Sequence, residues 1–156
     1  MENIKIRWAK PEEWAPAMTM IWKTFLEFEG KEYTQEGIRN FFDFITDDKL
    51  YQSFLRGTYQ MVVAVDKERV VGVATVRNGH HLSLLFVDEE YHHRGIGSAM
   101  LTLFCRYLKE EAGERLMSLK AAPSALGFYQ KLGFRLLGPE EDYEGIRVFS
   151  MEKIFE

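Results

Sequence analysis

Hydrophobic positions follow two different periods along this chain, and the alternation of the two defines its elements. Ile4, Ile6 and Trp8 alternate with Lys5 and Arg7, the two-residue period of a half-buried strand. From Pro11 the period becomes helical. Trp14, Met18, Ile21, Trp22, Phe25 and Phe28 share one face, and Glu12 and Glu13 occupy the first turn, where the macrodipole favours anions. Gly30 ends this helix. Thr34 starts a second, with Ile38, Phe41, Phe42 and Ile45 on one side and Gly37 as a weak point, because glycine costs backbone entropy inside a helix. Residues 49–56 form a short helical piece.

After Gly57 the period returns to two. Residues 59–65 and 70–76 are apolar and β-branched on either side of Asp66-Lys67-Glu68, which predicts a hairpin. Asn78-Gly79 is a tight-turn pair that leads into a strand over 80–87. A helix over 95–110 carries Ile96, Met100, Leu103, Phe104, Tyr107 and Leu108 on one stripe. Then come a strand over 115–120, a short helix over 123–132 closed by Gly133, and strands over 134–137 and 146–154. Glu140, Glu141, Asp142 and Glu144 read as an acidic loop between those last strands. The order β-α-α-β-β-β-α-β-α-β-β predicts an α/β fold, a mixed sheet with helices on both faces. No repeat or linker interrupts it, so one domain is expected over 1–156.

Composition narrows the function. In 156 residues, 46% hydrophobic and 14% aromatic side chains suffice to fill a core. A net charge of −4 lacks the basic face that binding to nucleic acid needs, so no nucleic-acid partner is expected. The single cysteine, Cys105, excludes an internal disulfide and suits a reducing compartment; beside Phe104 and Leu108 it reads as a small core residue. No apolar leader opens the sequence, and no run approaches the roughly 18 apolar residues of a membrane span. The expectation is a soluble cytoplasmic protein with no membrane partner. The His80-His81 and His92-His93 pairs lack the spacing of metal ligands, so no metal is expected.

The most informative stretch is Leu82-Ser83-Leu84-Leu85-Phe86-Val87-Asp88-Glu89-Glu90-Tyr91-His92-His93-Arg94-Gly95-Ile96-Gly97-Ser98. A buried strand runs into a loop that ends in glycines, and a helix starts at once. Helix N-termini carry unpaired N–H groups and a positive dipole end, so they attract anions. Gly95 and Gly97 let backbone approach a bulky anion, and His92, His93 and Arg94 add donors at the same rim. This composition fits a pyrophosphate cradle, or else a glycine-bearing turn that merely starts a helix. It is neither the P-loop nor the G-x-G-x-x-G pattern.

A second segment, Lys120-Ala121-Ala122-Pro123-Ser124-Ala125-Leu126-Gly127-Phe128-Tyr129-Gln130-Lys131-Leu132-Gly133-Phe134, adds specificity. Together the two resemble the GNAT superfamily of acyl-CoA-dependent N-acetyltransferases. The family's Gln/Arg-x-x-Gly-x-Gly/Ala signature appears as His92-His93-Arg94-Gly95-Ile96-Gly97, with His92 in place of Gln or Arg. Its Ala-x-x-Phe-Tyr-x-Lys-x-Gly-Phe run is matched by Ala125, Phe128, Tyr129, Lys131, Gly133 and Phe134, with Lys120 where the family often has Asn. The element order agrees over about residues 4–154.

The resemblance implies the acyl-CoA N-acyltransferase fold, acetyl-CoA as co-substrate and an amine acceptor. It also implies that the strand ending Leu85-Phe86-Val87 splays from its neighbour at a bulge and pairs with the pantetheine arm, and that residues 92–98 with Ala125, Phe128 and Lys131 hold the cofactor. Tyr129 would stand by the sulfur and assist the departing thiolate. The first two helices would flank the acceptor, with Phe25 in its pocket, and a homodimer is common in such proteins. Glu29 and Glu32, within the cluster Glu27 to Glu36, either recruit an ammonium group or form a solvated face. His81, which shares strand parity with Ser83 and Leu85 unless a bulge intervenes, is a candidate to take the proton from the amine; the alternative is an exposed turn histidine. Against turnover stands a second class, a CoA-binding sensor or regulatory module.

Overall fold

The computed structural model describes residues 3–143 and 145–156. Strand β1 (Ile4–Trp8) leads through a 3-10 turn at Pro11–Glu13 into α1 (Trp14–Phe28), followed by α2 (Gln35–Thr46) and α3 (Asp48–Arg56). Strands β2 (Tyr59–Asp66), β3 (Arg69–Arg77) and β4 (His81–Val87) form an antiparallel meander. Helix α4 (Ile96–Glu110) crosses to β5 (Leu116–Ala121), and α5 (Leu126–Lys131) precedes β6 (Arg135–Leu136), β7 (Glu141–Tyr143) and β8 (Ile146–Ile154). The sheet runs β1-β2-β3-β4-β5-β8-β6, with β7 also on β8. Among the described residues only β4 and β5 are parallel neighbours.

Local chemistry sets the boundaries. Thr34 caps α2, its hydroxyl accepting from the Gly37 N–H at 3.0 Å. Asp47 caps α3 by accepting from the Lys49 N–H at 2.9 Å, and Gly57 ends that helix at φ +84°. Asn78 and Gly79 both adopt positive φ, as a tight hairpin turn requires.

Both faces of the sheet are covered, because β2 and β3 are apolar on both sides. On one face Ile96, Met100, Phe104 and Leu108 of α4 pack on Val62, Ala74 and Met117. On the other, Ile21 and Phe25 of α1 pack on Val63, Val73 and Phe86. Phe25 stacks on Phe41 of α2 at 4.1 Å between ring centres, which joins the two helices. Phe28 and Phe42, expected on apolar helix faces, are exposed.

Gly37 of α2 is buried against the backbone of Gly145, where a side chain would not fit, so close packing requires the glycine there. One sequence expectation is corrected. The segment expected to be an acidic loop contains a strand. Glu141, Asp142 and Tyr143 pair with Val148, Arg147 and Ile146, and Gly145 at φ +84° closes the turn with its N–H on Asp142 Oδ1 at 2.9 Å. An edge strand tolerates this charge because its side chains stay in water. Glu144, part of the same expectation, lies outside the described residues. Among the described residues no helix is long and apolar enough to cross a membrane.

Candidate functional site

The site begins where β4 leaves β5. These strands pair only at His81–Ser118 and Leu82–Leu119, yet β4 continues to Val87. The later backbone groups of β4 therefore have no strand partner on that edge. The ladder with β3 also slips: Val76 pairs with Leu82 and Thr75 with Leu84, so Ser83 is the extra residue of a bulge. Tyr59, buried, fixes this bulge by sharing its hydroxyl with Thr75 Oγ1 at 2.8 Å and Ser83 Oγ at 3.0 Å.

The bulge decides which face each β4 residue serves. Leu82 joins the α4 core, whereas Leu84 and Phe86 join the core under α1. The bulge is the case in which His81 leaves the face of Leu85. Leu85 and Val87 pack toward α4. His81 lies opposite Leu82, and so on the face of Leu84 and Phe86 beneath α1 and α2.

Beyond β4 the loop is tightly built. Asp88 is buried, accepts from the Glu90 N–H at 3.0 Å and pairs with Arg69 at 3.0 Å. The Tyr91 hydroxyl donates to Asp66, and the Arg94 guanidinium lies over the Tyr91 ring. His93 and Gly95 take positive φ, 63° and 77°, which turns the chain sharply into α4. The first bond of that helix runs from Ala99 N–H to Gly95 O at 3.0 Å, so the N–H groups of Ile96, Gly97 and Ser98 precede the ladder. A Cβ on Gly95 would meet nothing within 4 Å, and one on Gly97 would touch Phe128 of α5 at 3.4 Å. His92 turns away from this rim. Its Nε2 donates to the Val87 carbonyl at 2.7 Å and its ring rests on Phe28. Lys131 is exposed at the end of α5.

Between the sheet and the α1–α2 pair lies a cleft of about 410 Å³. Leu84, Leu85 and Phe86 form part of its floor, Phe25, Phe41 and Phe44 its roof, and Ala125 and Tyr129 one wall. Tyr129 is 9% exposed and packs edge-on against Phe128 and Phe134. Burial, with the negative charge of Glu29 second, raises its pKa above the ordinary phenol value. Glu29, just past the end of α1, turns into the same cleft. Burial pushes its carboxyl up to about 7; a hydrogen bond from the Tyr33 hydroxyl at 3.2 Å opposes this, and Glu32 adds to it.

His81 also lines the cleft, with Nδ1 2.8 Å from Ser118 Oγ. Burial first, then the charges of Arg77, Lys120 and His80, pull its pKa down to about 4. Glu32 stays exposed and accepts from the Ser124 hydroxyl at 3.5 Å. The acidic cluster is thus divided: Glu29 enters the cleft while Glu32 and Glu36 remain in water.

Tyr33 and Arg77, which no sequence motif marks, also line the cleft. Tyr33 meets Glu29 across the 3-10 turn Gly30–Glu32, beyond the helix that Gly30 ends, so helical spacing does not announce the pair. Arg77 gave no signal beyond its place before the Asn78-Gly79 turn. Among the described residues no three His, Cys, Asp or Glu side chains gather as a metal site would require.

Known proteins show the same architecture. The family model described as an acetyltransferase (GNAT) domain matches residues 29–155. A Bacillus subtilis (strain 168) protein that bears an acetyltransferase name is 31% identical over 102 residues, which are 64% of this chain and 69% of its own. The uncharacterized N-acetyltransferase YafP of Escherichia coli (strain K12) is 25% identical over 135 residues, 86% of this chain and 83% of its own. The crystal structure of the PaiA N-acetyltransferase of Thermoplasma acidophilum, in complex with coenzyme A, superposes with a TM-score of 0.81. It shares 21% identity and covers 97% of this chain and 99% of that one.

Proposed function

The chain belongs to the GNAT acetyltransferase family, and from that premise we propose that it moves an acetyl group from acetyl-CoA directly to a primary amine held in the cleft. The observation that carries this reading is one cleft lined by the end of β4 that leaves β5, by Tyr129 and by Glu29. The residues fit the co-substrate. The end of β4 at Leu85-Phe86-Val87, which has left β5 and whose Val87 carbonyl is held by His92, suits an extended amide-bearing arm, and the open space over Gly95 with the N–H groups of Ile96, Gly97 and Ser98 ahead of the helical ladder suits a pyrophosphate.

The thioester supplies an activated acyl carbon; this chain's residues supply orientation and proton transfer. Glu29, with a pKa near working pH, takes the proton that the amine loses as its nitrogen bonds to the acyl carbon. His81 is the weaker proton acceptor at about 4, and its Nδ1 is engaged with Ser118. Tyr129 stays protonated and donates to the sulfur as the carbon–sulfur bond breaks, leaving an amide and free CoA thiol. Backbone N–H near Phe86 polarises the acyl oxygen.

The test is free-thiol release from acetyl-CoA across a panel of primary amines, with the acetylated product identified by mass. Amine-dependent release is expected. A rise in melting temperature with CoA, but no release with any amine, would replace this reading with a CoA-binding module.

A further inference from the structure

Ten arginines punctuate the chain, and two of them, Arg7 and Arg77, are half-buried; the other eight are exposed. Arg7 is satisfied by a two-pronged pair with Glu13, at 2.9 and 2.8 Å. Arg77 is not. Among the described residues its buried Nε has no hydrogen-bond partner, and no carboxylate lies within ion-pair distance of it. A buried guanidinium N–H without an acceptor is costly, and such groups are seldom left unmet.

Arg77 ends β3 and stands directly across the ladder from His81. Directly opposed residues share a face, and this face is the floor of the cleft. Arg77 therefore lines the same cavity as Tyr129 and Glu29. Lys120 lines it as well, but Glu141, Ser150 and the Tyr143 ring already occupy its ammonium. The lining of one cavity thus includes an unmatched cation, Arg77, together with the carboxyl of Glu29 and the phenol of Tyr129, whose pKa the Glu29 charge helps to raise. The same cavity is lined by the aromatic rings of Phe25, Phe41 and Phe44.

We infer that the acceptor is a primary amine that also bears a carboxylate and an apolar side chain, the chemistry of a free amino acid, and that Arg77 holds its carboxylate. A planar guanidinium matches a carboxylate in two parallel hydrogen bonds, which a lysine at the same place would not reproduce. With the carboxylate fixed on Arg77 and the side chain under the aromatic roof, the amine is directed toward Glu29 and Tyr129. Arg77 is here a substrate-binding residue and takes no part in proton transfer. This inference rests on the acetyl-transfer reading above.

The experiment compares phenylalanine with phenethylamine, which lacks only the carboxylate, and with phenylalaninamide, in which it is neutral. Wild type, Arg77→Gln and Arg77→Lys are assayed by thiol release. The expected result is a wild-type kcat/KM for phenylalanine at least tenfold above both analogues. Arg77→Gln should lower the phenylalanine value by roughly 10- to 100-fold, mainly through KM, and the analogue values by far less. Arg77→Lys should recover part of the preference. Equal wild-type values for the three amines, or an equal loss on all three in Arg77→Gln, would overturn the inference while leaving acetyl transfer standing. No release with any amine would overturn both.

Discussion

A Cβ built on Gly37 would lie 2.5 Å from the carbonyl oxygen of Gly145. The approach is mutual, since a Cβ on Gly145 would lie 2.6 Å from Thr34 Oγ1 and 2.8 Å from the Gly37 nitrogen. The Thr34 hydroxyl donates to the Gly145 carbonyl at 3.1 Å across the same contact. The first turn of α2 therefore rests backbone to backbone on the β7–β8 turn, and Phe41 of α2 and Val148 of β8 both line the cleft. Replacing Gly37 by alanine must push these elements apart. Overpacking of this kind costs about 1–3 kcal/mol, a fall in melting temperature of roughly 3–10 °C for a domain of this size. Gly37→Ala should also raise KM for the amine more than it weakens CoA binding, because the contact borders the roof and not the α4 rim. Thermal melts and steady-state kinetics check both. An unchanged melting temperature would show that the two segments separate without cost.

The contrast between Gly37 and the helix that contains it shows where the sequence was legible. The face of α1 was readable because Ile21 and Phe25 belong to one local period, and β2 and β3 because β-branched runs flank a turn. Gly37 was not, because its partner is remote; the bonded pair Thr34–Gly145 spans 111 residues. For the same reason Glu141–Tyr143 reads as loop by composition and becomes strand only because β8 offers an open edge. In the site, the motif residues around Gly95 and Tyr129 could be named in advance. The face of His81 could not, since it depends on a one-residue bulge at Ser83 that a period-two argument cannot detect. Nor could the separation of Glu29 from Glu32, because burial and not residue type divides them.

The displaced pKa of Glu29 leads to two pH effects. If Glu29 accepts the amine's proton, only its ionised form is active, so log kcat at saturating amine should climb with pH through about 7, while kcat/KM carries the amine's own ionisation as well. Glu29→Gln should lose that limb along with at least tenfold in kcat. Stability should move the opposite way. Its folded pKa lies above the ordinary carboxylate value of 4.5, so folding favours the protonated form. That contribution is complete below pH 4.5 and is lost as pH rises through about 7. Above pH 7 Glu29→Gln should therefore be more stable than wild type, by roughly 1–3 kcal/mol, and this advantage should vanish near pH 4. Denaturant melts of both proteins from pH 4 to 8.5 measure the difference. A constant difference across that range, with a flat activity profile in wild type, would remove Glu29 from proton transfer.

Tyr129 should act on the leaving group and leave binding untouched. Its ring is held between Phe128 and Phe134, contacts that phenylalanine at the same place would keep. Fold and CoA affinity should therefore survive in Tyr129→Phe. Burial and the nearby Glu29 charge keep the phenol protonated across the working range, so it is available as a donor at every pH at which the amine is nucleophilic. A group used only as the carbon–sulfur bond breaks lowers kcat and kcat/KM together. General acid catalysis typically contributes about 10²- to 10⁴-fold, so a loss of at least tenfold is expected even where water partly substitutes. The loss should shrink with an acyl donor whose thiol is more acidic, because a better leaving group needs less help. Steady-state kinetics of both proteins with both donors decide the point. Turnover by Tyr129→Phe at the wild-type rate would make Tyr129 a packing residue and hand thiolate protonation to solvent or to another group in the cleft.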